Sequence, residues 1–106
     1  MFEHDTILPE QFSALQGRPL QREKRLLLAV LEDAIHCFQT YFLARRERER
    51  RLFQEAEEWI YSTDSEWLFS FENVCEMLDL QPAYLRGALS RWKGEHLSRN
   101  AWRLQA

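Results

Sequence analysis

The sequence predicts an all-α domain of four to five helices. The 106 residues include only three glycines and three prolines, which is too few turn-forming residues for a β-sandwich. The composition is instead rich in Leu, Ala, Glu, Arg and Gln, which favour helix. Apolar residues also recur three and four positions apart over long stretches, as in amphipathic helices. A chain of this length is expected to form a single helical domain, residues 1–106.

The first segment, residues 1–19, is predicted to be an N-terminal arm that docks on the body of the domain. Pro9, Gly17 and Pro19 interrupt any helical pattern in it. Its start is acidic and lacks the apolar stretch of a secretory leader. The longest apolar run, LLLAVL at residues 26–31, is too short to span a bilayer, so we expect a cytoplasmic protein with no membrane partner.

Residues 20–61 are predicted to form one long helix or a helix pair. Residues 20–43 carry an unusually wide apolar face, so this helix is either central to the fold or shared with a second subunit in a homodimer. The charged run ARRERERR follows at residues 44–51 and is typical of a solvated helix with ion pairs one turn apart. The alternative is an edge that contacts phosphates. A single helix through the whole stretch would be unusually long for a small domain, which favours a break near residues 44–48.

A loop and a short helix are expected next. STDSEW, residues 62–67, is rich in residues that form turns and caps. Trp67, Leu68 and Phe69 are expected to anchor this loop on the core. Ser70 is suited to cap the helix that follows it.

The last main helix is predicted to begin at Pro82, because proline is favoured at the first helical position. It is expected to run to Lys93 and to stop at Gly94, a residue type that commonly ends helices. Residues 94–106 would then be a loose C-terminal tail, in which Trp102 is a candidate anchor for a protein partner.

Charge is strongly segregated along the second half of the chain. Residues 44–54 carry five arginines against two glutamates, and residues 55–80 carry eight acids and no base. Residues 81–106 carry four arginines and one lysine against Glu95. Such segregation indicates either that one face is used for binding, or that two faces of the domain attract each other.

The segment FENVCEMLDLQPAYLRGALSRW, Phe71 to Trp92, resembles the helix-turn-helix of bacterial regulators. Cys75 occupies the small position of the first helix, and apolar residues flank the turn and line the inner face of the second helix. The sequence departs from the motif at Asp79, where glycine with a positive φ is common. We therefore expect a helix-turn-helix-like unit over residues 70–93. EAEEWI, FSFENVCEML and YLRGALSRW together are also similar to a set of small, uncharacterised bacterial regulator proteins.

The resemblance implies a DNA-binding transcriptional regulator whose recognition helix, residues 82–93, lies on duplex DNA. Arginine can bond guanine and glutamine can bond adenine, and phosphates are contacted by arginine, lysine and serine. The implied DNA-binding residues, with Arg86 and Arg91 expected to be exposed, are Gln81, Ala83, Tyr84, Arg86, Gly87, Ser90, Arg91 and Lys93.

The alternative is a non-enzymatic adaptor that binds another protein through its acidic face, residues 55–79. The charged side chains that discriminate the two are Arg86, Arg91, Lys93, Arg99 and some of Arg45 to Arg51. If they pair with acids of residues 55–76, the adaptor is favoured; if they share one convex face, DNA binding is favoured.

No catalytic, metal or cofactor site is predicted. The chain has no glycine-rich phosphate loop and no cysteines or histidines at zinc-ligand spacing. Adjacent carboxylates such as Glu57 and Glu58 point about 100° apart on a helix, so they cannot converge on one substrate. Cys37 and Cys75 are expected to be two free thiols rather than a disulfide.

Overall fold

A computed structural model describes the backbone of residues 21–105 and the side chains of residues 21–99. Within that part the chain is all-helical and has no strand, which confirms the all-α prediction; the helix-turn-helix-like unit over residues 70–93 stays a prediction. No helix there is both long enough and apolar enough to span a bilayer. The arm predicted for residues 1–19 and the side chain of Trp102 lie outside the described residues. The helices are α1 (Arg22–Tyr41), α2 (Glu47–Tyr61), α3 (Phe71–Met77) and α4 (Pro82–Gln105).

The wide apolar face of α1 lies at the centre of the fold, where it packs against α2 and α3. The buried side chains that α1 contributes are Leu27, Leu28, Leu31, Ile35 and Phe38. Phe38 is fully buried and meets Phe53 of α2 and Trp92 of α4. Leu26 is 58% exposed and is the one large apolar side chain of α1 that the described residues leave uncovered. The homodimer through residues 20–43 stays a prediction.

The break between α1 and α2 spans residues 42–46, about where the sequence predicted it. The charged run therefore begins in the break and continues into the first two turns of α2. Arginines near a helix N-terminus oppose the helix dipole, and Glu47 and Glu49 in the first turn offset this. Arg51 lies 3.9 Å from Glu47, but both side chains are largely exposed, so this pair contributes little to stability.

The start of α3 is capped as the sequence predicted. The hydroxyl oxygen of Ser70 accepts a hydrogen bond from the Asn73 backbone N–H at 3.3 Å. Ser70 is itself buried, and Phe71, Val74 and Cys75 bury the inner face of α3. This cap fixes the direction in which the chain leaves the preceding loop.

Asp79 gives α3 its C-terminal stop by adopting a left-handed conformation, with φ of 60°. The backbone N–H of Leu80 bonds the carbonyl of Cys75 at 2.8 Å, and that of Asp79 bonds the carbonyl of Glu76 at 3.1 Å. These two bonds form a Schellman motif, and Leu80 and Cys75 are both buried beside it. Aspartate thus takes the role that glycine usually has at this position, at some cost in strain.

We expect Asp79→Gly to raise the free energy of unfolding by about 1 kcal/mol, because glycine adopts a positive φ without the steric cost of a Cβ. Thermal and urea denaturation would measure the change. Asp79→Ala is the matched control and should destabilise the protein, since alanine has the Cβ and lacks the tolerance of aspartate for this region. Equal stability of the glycine and alanine variants would contradict this account of the turn.

The prediction that the last helix stops at Gly94 is wrong. α4 continues from Pro82 through Gly94 to Gln105, so residues 94–105 are not a loose tail. An interior glycine costs only about 1 kcal/mol, and packing beyond it outweighs that cost. His96 is buried, stacks on Trp92 at 4.2 Å between ring centroids, and meets Phe42 edge-on at 6.1 Å. These contacts hold the helix beyond Gly94 against the end of α1.

Both cysteines are free, as predicted. Cys75 is fully enclosed in the core, and burial raises the pKa of its thiol to about 12. Burial and, to a lesser extent, the nearby carboxylates of Asp33 and Glu55 also raise the pKa of the half-buried Cys37 thiol.

At about pH 8 iodoacetamide should modify Cys37 in the native protein and leave Cys75 unmodified until the chain unfolds, because alkylation needs an accessible thiolate. Peptide mass spectrometry with and without urea would show this. Equal native labelling of the two thiols would contradict the core position of Cys75.

Candidate protein-interaction surface

Arg86, predicted to be exposed, instead ties α4 to the end of α2 and to α3, so the predicted exposure is wrong. Its Nε donates to the carbonyl of Ile60 at 2.8 Å, and its Nη2 donates to the carbonyl of Ser62 at 2.7 Å. Carbonyls at a helix C-terminus have no partner within the helix, so the guanidinium caps α2. The third branch, Nη1, bonds Oε2 of Glu72 at 3.1 Å, and the Arg86 side chain is only 18% exposed.

Two further contacts fix this junction. The guanidinium of Arg86 lies over the ring of Phe71, 4.9 Å from its centroid, a favourable cation–π arrangement. The hydroxyl of Tyr61 donates to the Arg86 carbonyl at 3.2 Å and lies within hydrogen-bond distance of the Ser90 hydroxyl. Ser90, a predicted phosphate contact, therefore bonds a side chain of α2.

Lys93 also pairs within the fold. Its Nζ lies 2.6 Å from Oε2 of Glu57 and 5.2 Å from the centroid of the Phe53 ring. Both partners of this ion pair are about one-third exposed. Two cations of α4 are thus paired with acids of α2 and α3.

The other predicted DNA-binding residues lie mostly on the surface. Gln81, Ala83 and Arg91 are exposed, and Tyr84 is 49% exposed. A Cβ built on Gly87 would meet Nη1 of Arg91 at 3.6 Å, an ordinary contact. Neither close packing nor strain therefore requires glycine at that position.

The loop between α2 and α3, residues 62–70, is fixed by hydrogen bonds at its acidic start. The backbone N–H of Asp64 bonds the Ser62 hydroxyl at 3.1 Å, and that of Glu66 bonds Oδ1 of Asp64 at 2.9 Å. Because Arg86 also holds the Ser62 carbonyl, the loop begins from a defined position.

Helices α2 and α3 hold the second half of the same loop. Nδ2 of Asn73 donates to the carbonyls of Ser65 and Trp67, each at 2.7 Å. Nε1 of Trp59 donates to the carbonyl of Phe69 at 2.8 Å. The loop is thus attached chiefly through its backbone, and Phe69 is its only apolar side chain that packs against the core among the described residues.

Trp67 and Leu68 do not anchor the loop on the core, contrary to the prediction. Trp67 is 58% exposed and Leu68 is 56% exposed, whereas Phe69 is half-buried and packs against the core. Backbone attachment explains the difference, because it leaves these two side chains free to face solvent. The Trp67 ring meets Phe69 edge-on, with 6.1 Å between centroids.

A third exposed apolar residue lies on α3, the helix that follows the loop. Met77 is 43% exposed and follows Asn73 by one helical turn, so it shares a face with the side chain that holds the loop. Glu76 is exposed beside it. We name as the Trp67 surface these apolar and acidic residues: Asp64, Glu66, Trp67, Leu68, Glu76 and Met77.

This part of the molecule carries excess negative charge. Of the eight acids in residues 55–80, Glu57 and Glu72 pair with α4. Within the described side chains, no salt bridge forms at the other six acids, which are Glu55, Glu58, Asp64, Glu66, Glu76 and Asp79. The exposed apolar residues of the Trp67 surface therefore lie in an acidic environment.

Among residues 21–99, no three His, Cys, Asp or Glu side chains are grouped so that they could hold a metal ion. No protein-family model, curated protein or solved structure matches this chain.

Proposed function

We propose that the protein is a non-enzymatic adaptor that binds a basic partner protein through its acidic face, residues 55–79. The observation that carries this proposal is that two cations of α4 form ion pairs with acids within the fold. Arg86 pairs with Glu72 and Lys93 pairs with Glu57, whereas six acids of residues 55–80 have no cation opposite them among the described side chains. These unpaired carboxylates attract cations and repel phosphates.

The position of the unpaired acids adds support. Glu76 and Asp79 are exposed immediately before α4, so duplex DNA placed along the start of that helix would bring phosphates towards carboxylates. DNA affinity depends chiefly on neutralising phosphates with lysine and arginine. A basic protein partner meets no such repulsion, and it finds apolar side chains at the same place.

The second candidate is a DNA-binding regulator that uses a helix-turn-helix with residues 82–93 of α4 as the recognition helix. It is favoured by the positive φ of Asp79, at the position where that motif often has glycine, and by the exposed start of α4. On this proposal Gln81, Ala83 and Tyr84 contact bases and Arg91 contacts phosphate.

Fluorescence-anisotropy titration of the protein with a labelled DNA duplex and a labelled lysine-rich peptide separates the two candidates. We expect peptide binding that weakens in the double variant Asp64→Asn, Glu66→Gln, and no duplex binding even at roughly 50 mM salt. Substitution of the exposed residue Arg91 tests whether α4 contacts DNA. Duplex binding that is sequence-preferring and falls in Arg91→Ala would overturn the adaptor in favour of the regulator.

A further inference from the structure

We infer that the Trp67 surface is a preformed docking site for a cationic amphipathic helix of a partner protein. This inference rests on the proposed adaptor function and names the class of partner. It is carried by the exposure of Trp67, Leu68 and Met77, by the fixed loop that presents Trp67 and Leu68, and by the acidic residues of this surface.

The apolar part of the surface has the character of an interface centre. Tryptophan is among the residue types that contribute most to binding when an interface buries them, and methionine adapts its shape to different partners. Trp67 and Leu68 are adjacent and both are more than half exposed. A soluble domain gains nothing in stability from presenting them to water, so a partner that covers them gains hydrophobic free energy.

The loop presents these side chains with little freedom left to lose on binding. The carbonyl of Trp67 accepts bonds from the backbone N–H of Ser70 at 3.0 Å and from Asn73 at 2.7 Å. The Trp67 ring meets the Phe69 ring edge-on, and the Phe69 carbonyl accepts a hydrogen bond from Nε1 of Trp59. Binding to a preformed surface avoids the entropy cost of ordering a mobile loop.

The surrounding charges select a cationic partner. Asp64, Glu66 and Glu76 are exposed, the first two within three residues of Trp67 in the sequence, and no lysine or arginine occurs in residues 55–80. Lysine or arginine side chains that flank an apolar stripe on the partner would each face a carboxylate here. Complementary charges of this kind raise the association rate and exclude acidic partners.

The form of the partner follows from the backbone bonding. The described residues contain no strand, so they offer no sheet edge to which an extended peptide could add. In the loop, the carbonyls of Ser65, Trp67 and Phe69 already accept hydrogen bonds. A partner recognised through side chains therefore fits this surface best, and an amphipathic helix presents apolar and cationic side chains together without needing backbone partners.

The test uses a designed leucine–lysine peptide with leucines at helical i, i+3, i+4 and i+7 spacing, and a scrambled peptide of the same composition. A lysine-only peptide is the third probe. Calorimetric titration of the full chain should show that the amphipathic peptide binds most tightly and that its affinity falls as salt rises. Trp67→Ala should weaken this binding by roughly 30-fold or more, the loss expected for an interface hot spot.

Leu97→Ala is the matched control, since Leu97 is 43% exposed but lies on α4 outside the Trp67 surface. Both variants should keep the melting temperature of the parent protein, because both side chains are exposed. Equal affinity for the amphipathic and scrambled peptides, or an unchanged affinity in Trp67→Ala, would overturn this inference.

The adaptor proposal fails separately from this inference. The lysine-only peptide could bind in a way that depends on Asp64 and Glu66 but not on Trp67. That result would support the adaptor proposal and overturn the docking site. No binding of any cationic peptide overturns both. Self-association of the parent protein that Trp67→Ala abolishes would assign the surface to a second copy of the chain, which also overturns this inference.

Discussion

Replacing Arg86 with alanine should lower the free energy of unfolding by about 3 kcal/mol, although arginine is usually a surface residue. The truncation removes the donors to the carbonyls of Ile60 and Ser62 and leaves Glu72 without its cation. Hydrogen bonds from charged groups contribute more than neutral ones, and the acceptors left behind are partly shielded from water. Urea denaturation followed by circular dichroism would measure the loss.

Two variants separate the geometry of Arg86 from its charge. Arg86→Lys keeps the positive charge but cannot bond three acceptors with one planar group, so most of the stability loss should remain. Arg91→Ala removes an exposed arginine five residues further along the same helix and should change stability by no more than about 0.5 kcal/mol. If Arg86→Ala were as stable as Arg91→Ala, Arg86 would not be a structural residue, and its use on a nucleic acid would be favoured again.

Replacing Phe38 with alanine should destabilise the protein by about 4 kcal/mol, within the range for a large aromatic side chain in a packed core. Phe38 is fully buried where three helices meet, at 5.3 Å from the Phe53 ring and 6.1 Å from the Trp92 ring, measured between centroids. Domains of this size have only about 5–15 kcal/mol of stability in total. The melting temperature should therefore fall by roughly 15–30 °C.

Leu26→Ala is the control for Phe38→Ala, because Leu26 lies on the same helix and is 58% exposed. It should shift the melting temperature little, since alanine is also a good helix former. A similar loss of stability in both variants would contradict the central position of α1, and it would indicate that Leu26 is covered by another chain or segment.

The features that could be predicted from the sequence depend on local chemistry. Ser70 caps α3, Pro82 begins α4, and Asp79 adopts the positive φ that its position in the turn requires. Each follows from the conformational preference of one residue and its immediate neighbours. The buried face of α1 followed in the same way from apolar spacing.

The features that could not be predicted depend on distant partners. Arg86 bonds carbonyls that precede it by 26 and 24 residues, and only the packing of α4 against α2 brings them together. One signal does exist in the sequence: the last turn of α2 contains no basic residue, so the terminal carbonyls of that helix need donors from elsewhere.

The predictions for Gly94 and Trp67 were wrong for the same reason. Whether glycine ends a helix depends on what lies beyond it, and here the packing of His96 against Trp92 and Phe42 continues the helix. Whether an aromatic residue anchors a loop depends on what else holds that loop. Since Asn73 and Trp59 bind its backbone, Trp67 faces solvent.

The proposed function depends on how the cations of α4 are used. A helix rich in arginine and lysine suggests a nucleic-acid contact, yet two of these cations hold the domain together and neutralise acids of α2 and α3. The acids of the Trp67 surface take no part in this pairing. On the proposed function, the charge pattern of the sequence is thus divided between stability and recognition.

The most direct test of this account is one competition experiment monitored by fluorescence anisotropy. The protein is bound to the labelled leucine–lysine peptide and titrated with unlabelled duplex DNA, with Trp67→Ala and Arg91→Ala compared in parallel. DNA itself attracts a cationic peptide, so direct titration of labelled duplex with the protein alone is included. We predict peptide binding that Trp67→Ala removes and Arg91→Ala preserves, and no binding of labelled duplex by the protein. Duplex binding that Arg91→Ala weakens, together with peptide binding that Trp67→Ala leaves unchanged, would contradict this account.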